Sequence, residues 1–112
     1  MKDDKVYIKH IRDAILTIES FTDGFTYEEF LEDKLTQNGV VRELEIIGEA
    51  TKNLSSDFRE KHKDIPWKDI AGMRDKLIHG YMMVDLDTIW KVVRDDLPKL
   101  KEQIAGLLKD TM

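Results

Sequence analysis

The sequence predicts an all-α protein, a four-helix up-and-down bundle with one or two short accessory helices and a kinked C-terminal helix. Three observations predict this class. Apolar residues recur at three- and four-residue steps along almost the whole chain, no stretch alternates strictly between apolar and polar residues, and there are only two prolines. The 112 residues are enough for one domain, 1–112, whose core needs no disulfide or metal.

The first two helices are predicted from their ends. The first begins near Asp3 or Asp4 as its N-cap and ends at Asp23-Gly24. A capping box formed by Thr26 and Glu29 then opens a short second helix. The apolar stripe of the first helix is Ile8, Ile11, Ile15 and Ile18.

A long helix is predicted from about Leu35 to Leu54, because its helical period continues through the turn-like pair Asn38-Gly39. The run Ser55-Ser56-Asp57 is placed to cap a short basic helix after it. The next helix is predicted to run from Pro66 to about His79, with Gly80 as its stop.

Asp85 or Asp87 is expected to cap the last helix. Pro98 falls inside its pattern, where a proline removes one backbone hydrogen bond, so we expect a kink near Arg94 and no end to the helix. Its apolar stripe is Leu86, Ile89, Val93, Leu97, Leu100, Ile104 and Leu107.

Composition limits the possible functions. The formal charge of −5 argues against a general nucleic-acid coat. The charge is nevertheless sorted, since residues 59–76 carry six basic against four acidic side chains and residues 26–57 carry three against eight. The basic stretch is either a phosphate-facing surface or an ordinary solvated face. The absence of cysteine excludes thiol nucleophiles and cysteine zinc sites. No uncharged run approaches the roughly 20 residues of a membrane span, so we expect a cytoplasmic protein with no membrane partner.

Arg74 is the first candidate functional residue. On an ideal helix it lies in the middle of the apolar stripe of the predicted Pro66–His79 helix. A permanent charge on a core face is costly unless it is paired or lines a polar cleft. The alternative to a functional Arg74 is a structural ion pair with Glu45 or Glu49 on the long helix.

His79 follows Arg74 by five residues, about 140° around an ideal helix, so the two side chains do not share a face. They meet if the helix ends at Gly80, or if a two-fold dimer brings two copies of the segment together. Taken alone, a histidine such as His79 is more often structural, and a tyrosine such as Tyr81 usually packs with its hydroxyl at the surface.

The combination Arg-x4-His-x-Tyr, filled by Arg74, His79 and Tyr81 with the polar Asp75 after the arginine, resembles the signature of HEPN-domain ribonucleases. More specifically, it resembles that of the HepT-like toxins of bacteria and archaea. Two further segments resemble this family, namely Leu44 to Ala50 and Ile65 to Met73.

The resemblance implies a HEPN-like homodimer in which Arg74 and His79 of both subunits line a shared cleft. The implied reaction is metal-independent RNA cleavage without a cofactor, in which the ribose 2′-hydroxyl attacks the adjacent phosphate. His79 would then move the proton and Arg74 would hold the phosphate. Asp75 would orient Arg74 or the partner's histidine, and Glu49 would pair with an arginine or shape the cleft.

Lys68 and Lys76 are the candidate RNA contacts in the same segment. The resemblance also implies a toxin–antitoxin pair whose partner is an MNT-type nucleotidyltransferase. In such pairs the partner uses ATP to adenylylate the tyrosine of the His-x-Tyr element, here Tyr81, and the homodimer can join a larger heteromeric complex.

Two other functions are compatible with the sequence. The domain could be a non-catalytic dimeric adaptor, or binding subunit, for a nucleotidyltransferase, which suits the acidic total charge. It could instead bind a mononucleotide through Arg74 and Lys76, although a glycine-rich phosphate loop is missing. RNA cleavage is the function we expect.

Overall fold

The structure is a computed structural model that describes residues 3–73, 75 and 85–110. All elements of these residues are helical, which confirms the all-α prediction. The elements are α1 (Asp4–Thr22), α2 (Tyr27–Glu32), α3 (Lys34–Lys52), α4 (Ser56–Lys61), α5 (Trp67–Ala71), α6 (Leu86–Lys91), a π-helical turn (Val92–Asp96) and α7 (Leu97–Asp110).

Helices α1 and α3 form an antiparallel pair at the centre of the bundle. Tyr7, near the start of α1, lies beside Asn53, which follows α3, and Phe21, near the end of α1, packs on Gly39, near the start of α3. A side chain at position 39 would bring its Cβ to 2.7 Å from Phe21 Cε2. The Asn38-Gly39 pair therefore makes room for a ring in the middle of a continuous helix.

The core lies around α1, which packs against α3 and against α7, and α2 and α5 close it by packing on α3. The predicted stripes of the first and last helices are its main contributors. Its fully buried large side chains include Ile8, Ile11, Ile15, Ile18, Phe30, Ile47, Ile89, Leu97 and Ile104.

The helix caps follow the sequence signals closely. Asp3 caps α1 by accepting from Lys5 N, and Ser55 caps α4 by accepting from Phe58 N. Thr26 and Glu29 form the complete capping box of α2. These caps confirm the predicted starts, since each satisfies backbone N–H groups that a helix leaves without partners.

The prediction of one unbroken helix from Pro66 to His79 is wrong at Gly72. Helix α5 ends at Ala71, and the Gly72 N–H caps it by donating to the carbonyl of Lys68 at 3.1 Å. Glycine has low helix propensity, so a bend costs least at this position. Residues 73 and 75 are again helical, and the rest of the predicted helix lies outside the described residues.

The last helix departs from regular geometry where Pro98 predicts it. In the π-helical turn the Leu97 N–H bonds to the carbonyl of Val92, five residues back. Pro98 has no N–H to offer the carbonyl of Arg94, so the normal α-helical ladder is broken at this point in any case. The buried residues Ile89 and Leu97 stay on the core face on both sides of the turn.

Within the part of the chain that the structure describes, no helix combines the length and apolar character that crossing a bilayer requires.

Candidate functional site

The structure places three of the seven predicted site residues, namely Glu49, Lys68 and Asp75. The other four, Arg74, Lys76, His79 and Tyr81, lie outside the described residues. The structure does describe residues on either side of the motif. Met73, which packs against the core, precedes the motif, and Asp85 follows it at the start of α6.

The chain enters the motif from α5, which is held in place by contacts with the core, with α4 and with α3. Trp67 and Ile70 are buried in the core, and the Trp67 Nε1 donates a 2.9 Å hydrogen bond to the carbonyl of His62. The ring of Phe58 on α4 packs against both Trp67 and His62. The carbonyls at the end of α5 rest on α3 at Gly48.

Lys68 is exposed on the solvent side of α5. Two more exposed lysines, Lys61 and Lys63, lie in and just after the neighbouring α4, and the ammonium of Lys63 is 3.8 Å from a carboxylate oxygen of Glu60. Such an exposed pair adds little stability and leaves the lysine able to contact another anion. The basic stretch predicted from the sequence is therefore solvent-facing at these positions.

Asp75 is exposed and helical. Two residues earlier, Met73 lines a groove of about 280 Å³ between α5 and the C-terminal helix. The groove has a mainly apolar floor that includes Ile70 and Leu100, with Asp69 at its margin. This groove therefore lies next to the point where the chain enters the motif.

Glu49 is exposed and lines a groove of about 470 Å³ along α1 and α3. Its neighbours in this groove include Glu45, Arg42 and His10, so carboxylates, a guanidinium and an imidazole share one surface. Glu49 is one residue from Gly48, which contacts α5. The groove therefore adjoins the α3 surface on which the end of α5 rests.

On the other side of the motif, α2 holds the start of α6. Asp85 caps α6, and two residues later Asp87 accepts a 2.8 Å hydrogen bond from the hydroxyl of Tyr27. The guanidinium of Arg94 donates to the carbonyl of Phe25 and lies 4.4 Å from the centre of the Trp90 ring.

The contacts at the start of α6 raise the pKa of one tyrosine. The hydrogen bond to Asp87, together with some loss of solvent and the nearby negative charge, raises the pKa of Tyr27 above its ordinary value of 10.0. Sequence reasoning missed this contact, because Tyr27 and Asp87 are 60 residues apart and no local pattern pairs them.

Among the described residues, no group of three His, Asp or Glu side chains is placed to hold a metal ion.

Comparison with known proteins identifies the family of this chain. A sequence model described as ribonuclease HepT-like matches residues 11–107. A probable ribonuclease HepT of Thermococcus cleftensis is 49% identical, over 96% of this chain and 98% of that protein. A putative RNase of Caldanaerobacter subterraneus is 43% identical, over 97% of each chain.

A Methanocaldococcus jannaschii protein named as a gamma-glutamylcyclotransferase and putative RNase is 49% identical over 97% of this chain, which spans 49% of that longer protein. No solved structure matches the chain. The family match covers α3, α5 and the whole Arg74 to Tyr81 motif, and two relatives align over nearly their full lengths. The chain therefore belongs to the HepT-like ribonuclease family.

Proposed function

We propose that this ribonuclease is the toxin of a HEPN/MNT toxin–antitoxin pair and acts in the cytoplasm as a metal-independent endoribonuclease without a cofactor. Residues 1–112 form its single domain, and two copies build the site. The observation that carries the proposal is the complete Arg-x4-His-x-Tyr motif, inside the part of the chain that the family model matches.

The reaction needs one proton carrier and one anion clamp. His79 takes the proton of the ribose 2′-hydroxyl as the 2′-oxygen bonds to the adjacent phosphorus, and the bond from phosphorus to the 5′-oxygen breaks. His79, now protonated, gives that proton to the leaving 5′-oxygen. Arg74 donates two parallel hydrogen bonds to the phosphate oxygens and stabilises their growing charge. The products are a 2′,3′-cyclic phosphate and a 5′-hydroxyl.

A dimer can bring together an arginine and a histidine that point apart in one chain. Arg74 and His79 are five residues apart, which on an ideal helix points them about 140° away from each other. Across a two-fold axis, Arg74 of one subunit can face His79 of the other. In this site Asp75 orients Arg74 or the opposite histidine, and Glu49 pairs with an arginine at the cleft margin.

RNA reaches the cleft along the basic side of the chain. Lys68 is exposed on α5, six residues before Arg74, and Lys76 is two residues after it. Both provide phosphate contacts that position the strand without selecting its sequence.

Adenylylation of Tyr81 silences the enzyme. In the partner's active site the Tyr81 oxygen attacks the α-phosphorus of ATP, and the bond to pyrophosphate breaks. The AMP so attached puts a phosphate and a base beside Arg74 and His79, where they occupy the place of RNA. The nucleotidyltransferase and the homodimer associate in a larger heteromeric complex during this step.

The test is cleavage of a mixed tRNA and mRNA pool in excess EDTA. Wild-type protein, shown by intact mass to be unmodified, is compared with His79→Ala and with the matched control His62→Ala. Wild type and the control should cut RNA and leave 2′,3′-cyclic phosphate ends, and His79→Ala should leave it intact while remaining dimeric. No cleavage by unmodified, dimeric wild type would refute the proposal in favour of a non-catalytic adaptor for the nucleotidyltransferase.

A further inference from the structure

We propose that Gly48 is a positioning residue for RNA cleavage, because the end of α5 approaches α3 closely only where the α3 residue is very small. This inference rests on the proposed function for its activity readout. Gly48 is buried in α3, between the core residue Ile47 and the exposed Glu49. Nothing in the motif itself points to this residue.

The two backbones touch at this point. A Cβ built on Gly48 would lie 3.4 Å from the carbonyl oxygen of Ala71 and 3.5 Å from that of Ile70. One carbon therefore just fits at ordinary contact distance, and a β-branched side chain such as valine must find room for two more carbons beside these main-chain atoms. Main-chain carbonyls cannot rotate away as a side chain can, so α5 itself would have to shift.

Helix α5 depends on this packing for its position. With five residues it is far too short to be stable alone, and its place is set by what it packs against. Trp67 and Ile70 hold its inner face in the core, and Gly48 supports its last two carbonyls. Arg74 follows Ala71 by only three residues. A displacement of the end of α5 therefore moves the point from which the chain enters the motif.

Two other helical glycines differ from Gly48 in what a side chain would meet. A Cβ on Gly39 would meet the ring of Phe21, which is a side chain, and a Cβ on Gly106 in α7 would meet nothing within 4 Å. Gly106 is therefore a matched control for the effect of replacing a helical glycine, because the same substitution there makes no contact.

The experiment compares Gly48→Ala, Gly48→Val and Gly106→Val. Steady-state cleavage of RNA gives kcat and KM for each protein. Hydrogen exchange of the peptide covering residues 67–73 reports on α5, whose Ile70 and Gly72 N–H groups bond to the carbonyls of Pro66 and Lys68 at 3.1 Å.

Gly48→Val should lower kcat by about 100-fold with a smaller change in KM, since a shift of about 1 Å far from the reacting atoms can have that effect. It should also speed exchange in residues 67–73 while α1 stays protected. Gly48→Ala and Gly106→Val should keep the wild-type kcat and exchange. This pattern separates positioning from general destabilisation, which would raise exchange throughout the chain.

Wild-type kcat in Gly48→Val would overturn the proposal, and so would exchange that is unchanged in residues 67–73 or raised equally everywhere. If the wild-type protein cleaves no RNA, the proposed function fails on its own. The exchange data still decide in that case whether position 48 holds α5 in place.

Discussion

The hydroxyl of Tyr27 donates a 2.8 Å hydrogen bond to the carboxylate of Asp87 and so joins α2 to the first turn of α6. The same short helix places Phe30 against Trp90, with ring centres 5.0 Å apart, and Arg94 covers the Trp90 ring. Helix α2 thus packs against the segment that follows the motif, and α3 and α5 pack together at the segment that precedes it.

We expect Tyr27 to titrate above the ordinary value for a tyrosine. Its pKa is raised by the hydrogen bond to Asp87, so the protonated phenol favours the folded state, and this stabilisation is present below pH 10 and lost as the pH rises through the folded-state pKa. Absorbance of ionised tyrosine followed against pH should show a transition above 10. Asp87→Asn should bring that transition back towards 10, and a late transition that persists in Tyr27→Phe would assign it to a different tyrosine.

The carboxylate of Asp4 should contribute measurably to stability. It accepts 2.7 Å hydrogen bonds from both the backbone nitrogen and the hydroxyl of Ser55, which ties the start of α1 to the cap of α4. Asp4→Ala should lower the free energy of unfolding by about 1–3 kcal/mol, because the bonds are to a charged group and the site is only partly buried. Denaturant unfolding measures this loss.

The exposed Asp64 supplies the control, since Asp64→Ala removes the same charge and should change stability by less than about 0.5 kcal/mol. A double-mutant cycle with Ser55→Ala should give a coupling energy of about 1 kcal/mol. Strict additivity of the two losses would mean that the two side chains act independently.

Local signals explain why much of the fold could be predicted. Caps, apolar stripes and Pro98 each act within a few residues, and the N-caps at Asp3 and Ser55 and the break before Pro98 are all confirmed. The contact between Asp4 and Ser55 joins residues 51 positions apart, and no periodicity encodes it. The end of α5 at Gly72 was missed because apolar period alone does not distinguish a bend from a continuous helix.

The candidate site also has a part that the sequence predicted and a part that only the packed structure shows. The Arg-x4-His-x-Tyr spacing predicted a family that the match over residues 11–107 confirms. The roles of Glu49, Lys68 and Asp75 stay predictions, because exposure alone does not show what a side chain contacts in a dimer. Gly48 could not be identified as a positioning residue from sequence, since its contact with α5 exists only after the helices pack.

Arg74→Lys should lower kcat by about 100- to 1,000-fold, although the charge is kept. A lysine ammonium cannot reproduce the planar fork that binds two phosphate oxygens at once. RNA cleavage under single-turnover conditions measures the loss. Arg12→Lys, on the exposed side of α1, is the matched control and should retain activity. Equal activity of Arg74→Lys and wild type would remove the phosphate clamp from the mechanism.

A composite site predicts that two inactive variants restore each other. Mixed dimers of Arg74→Ala and His79→Ala contain one site with both residues intact, so random exchange of subunits should recover roughly one quarter of wild-type activity. Each variant alone should be inactive, and size-exclusion chromatography should show both as dimers. Failure to recover activity after proven subunit exchange would place Arg74 and His79 of the same chain in each site.

Tyr81→Phe should abolish modification by the nucleotidyltransferase. With ATP and the partner enzyme, wild type should gain the mass of AMP and lose RNase activity, whereas Tyr81→Phe should do neither. Tyr27→Phe keeps the proposed acceptor and should be modified like wild type. Intact mass spectrometry reads both results, and AMP on the Tyr81→Phe protein would show that a different residue is the acceptor.

The π-helical turn at Val92–Asp96 makes the C-terminal helix tolerant of a change in chain length. The Leu97 N–H reaches the carbonyl five residues back, so removal of the exposed Asp95 would leave it four residues back, the spacing of a regular α-helix. Ile89 before the turn and Leu100 after it would still face the core. A relative shorter by one residue here is therefore expected to keep the same interior with regular α-helical spacing at Leu97, while the proline that follows still leaves one helix carbonyl without its backbone donor.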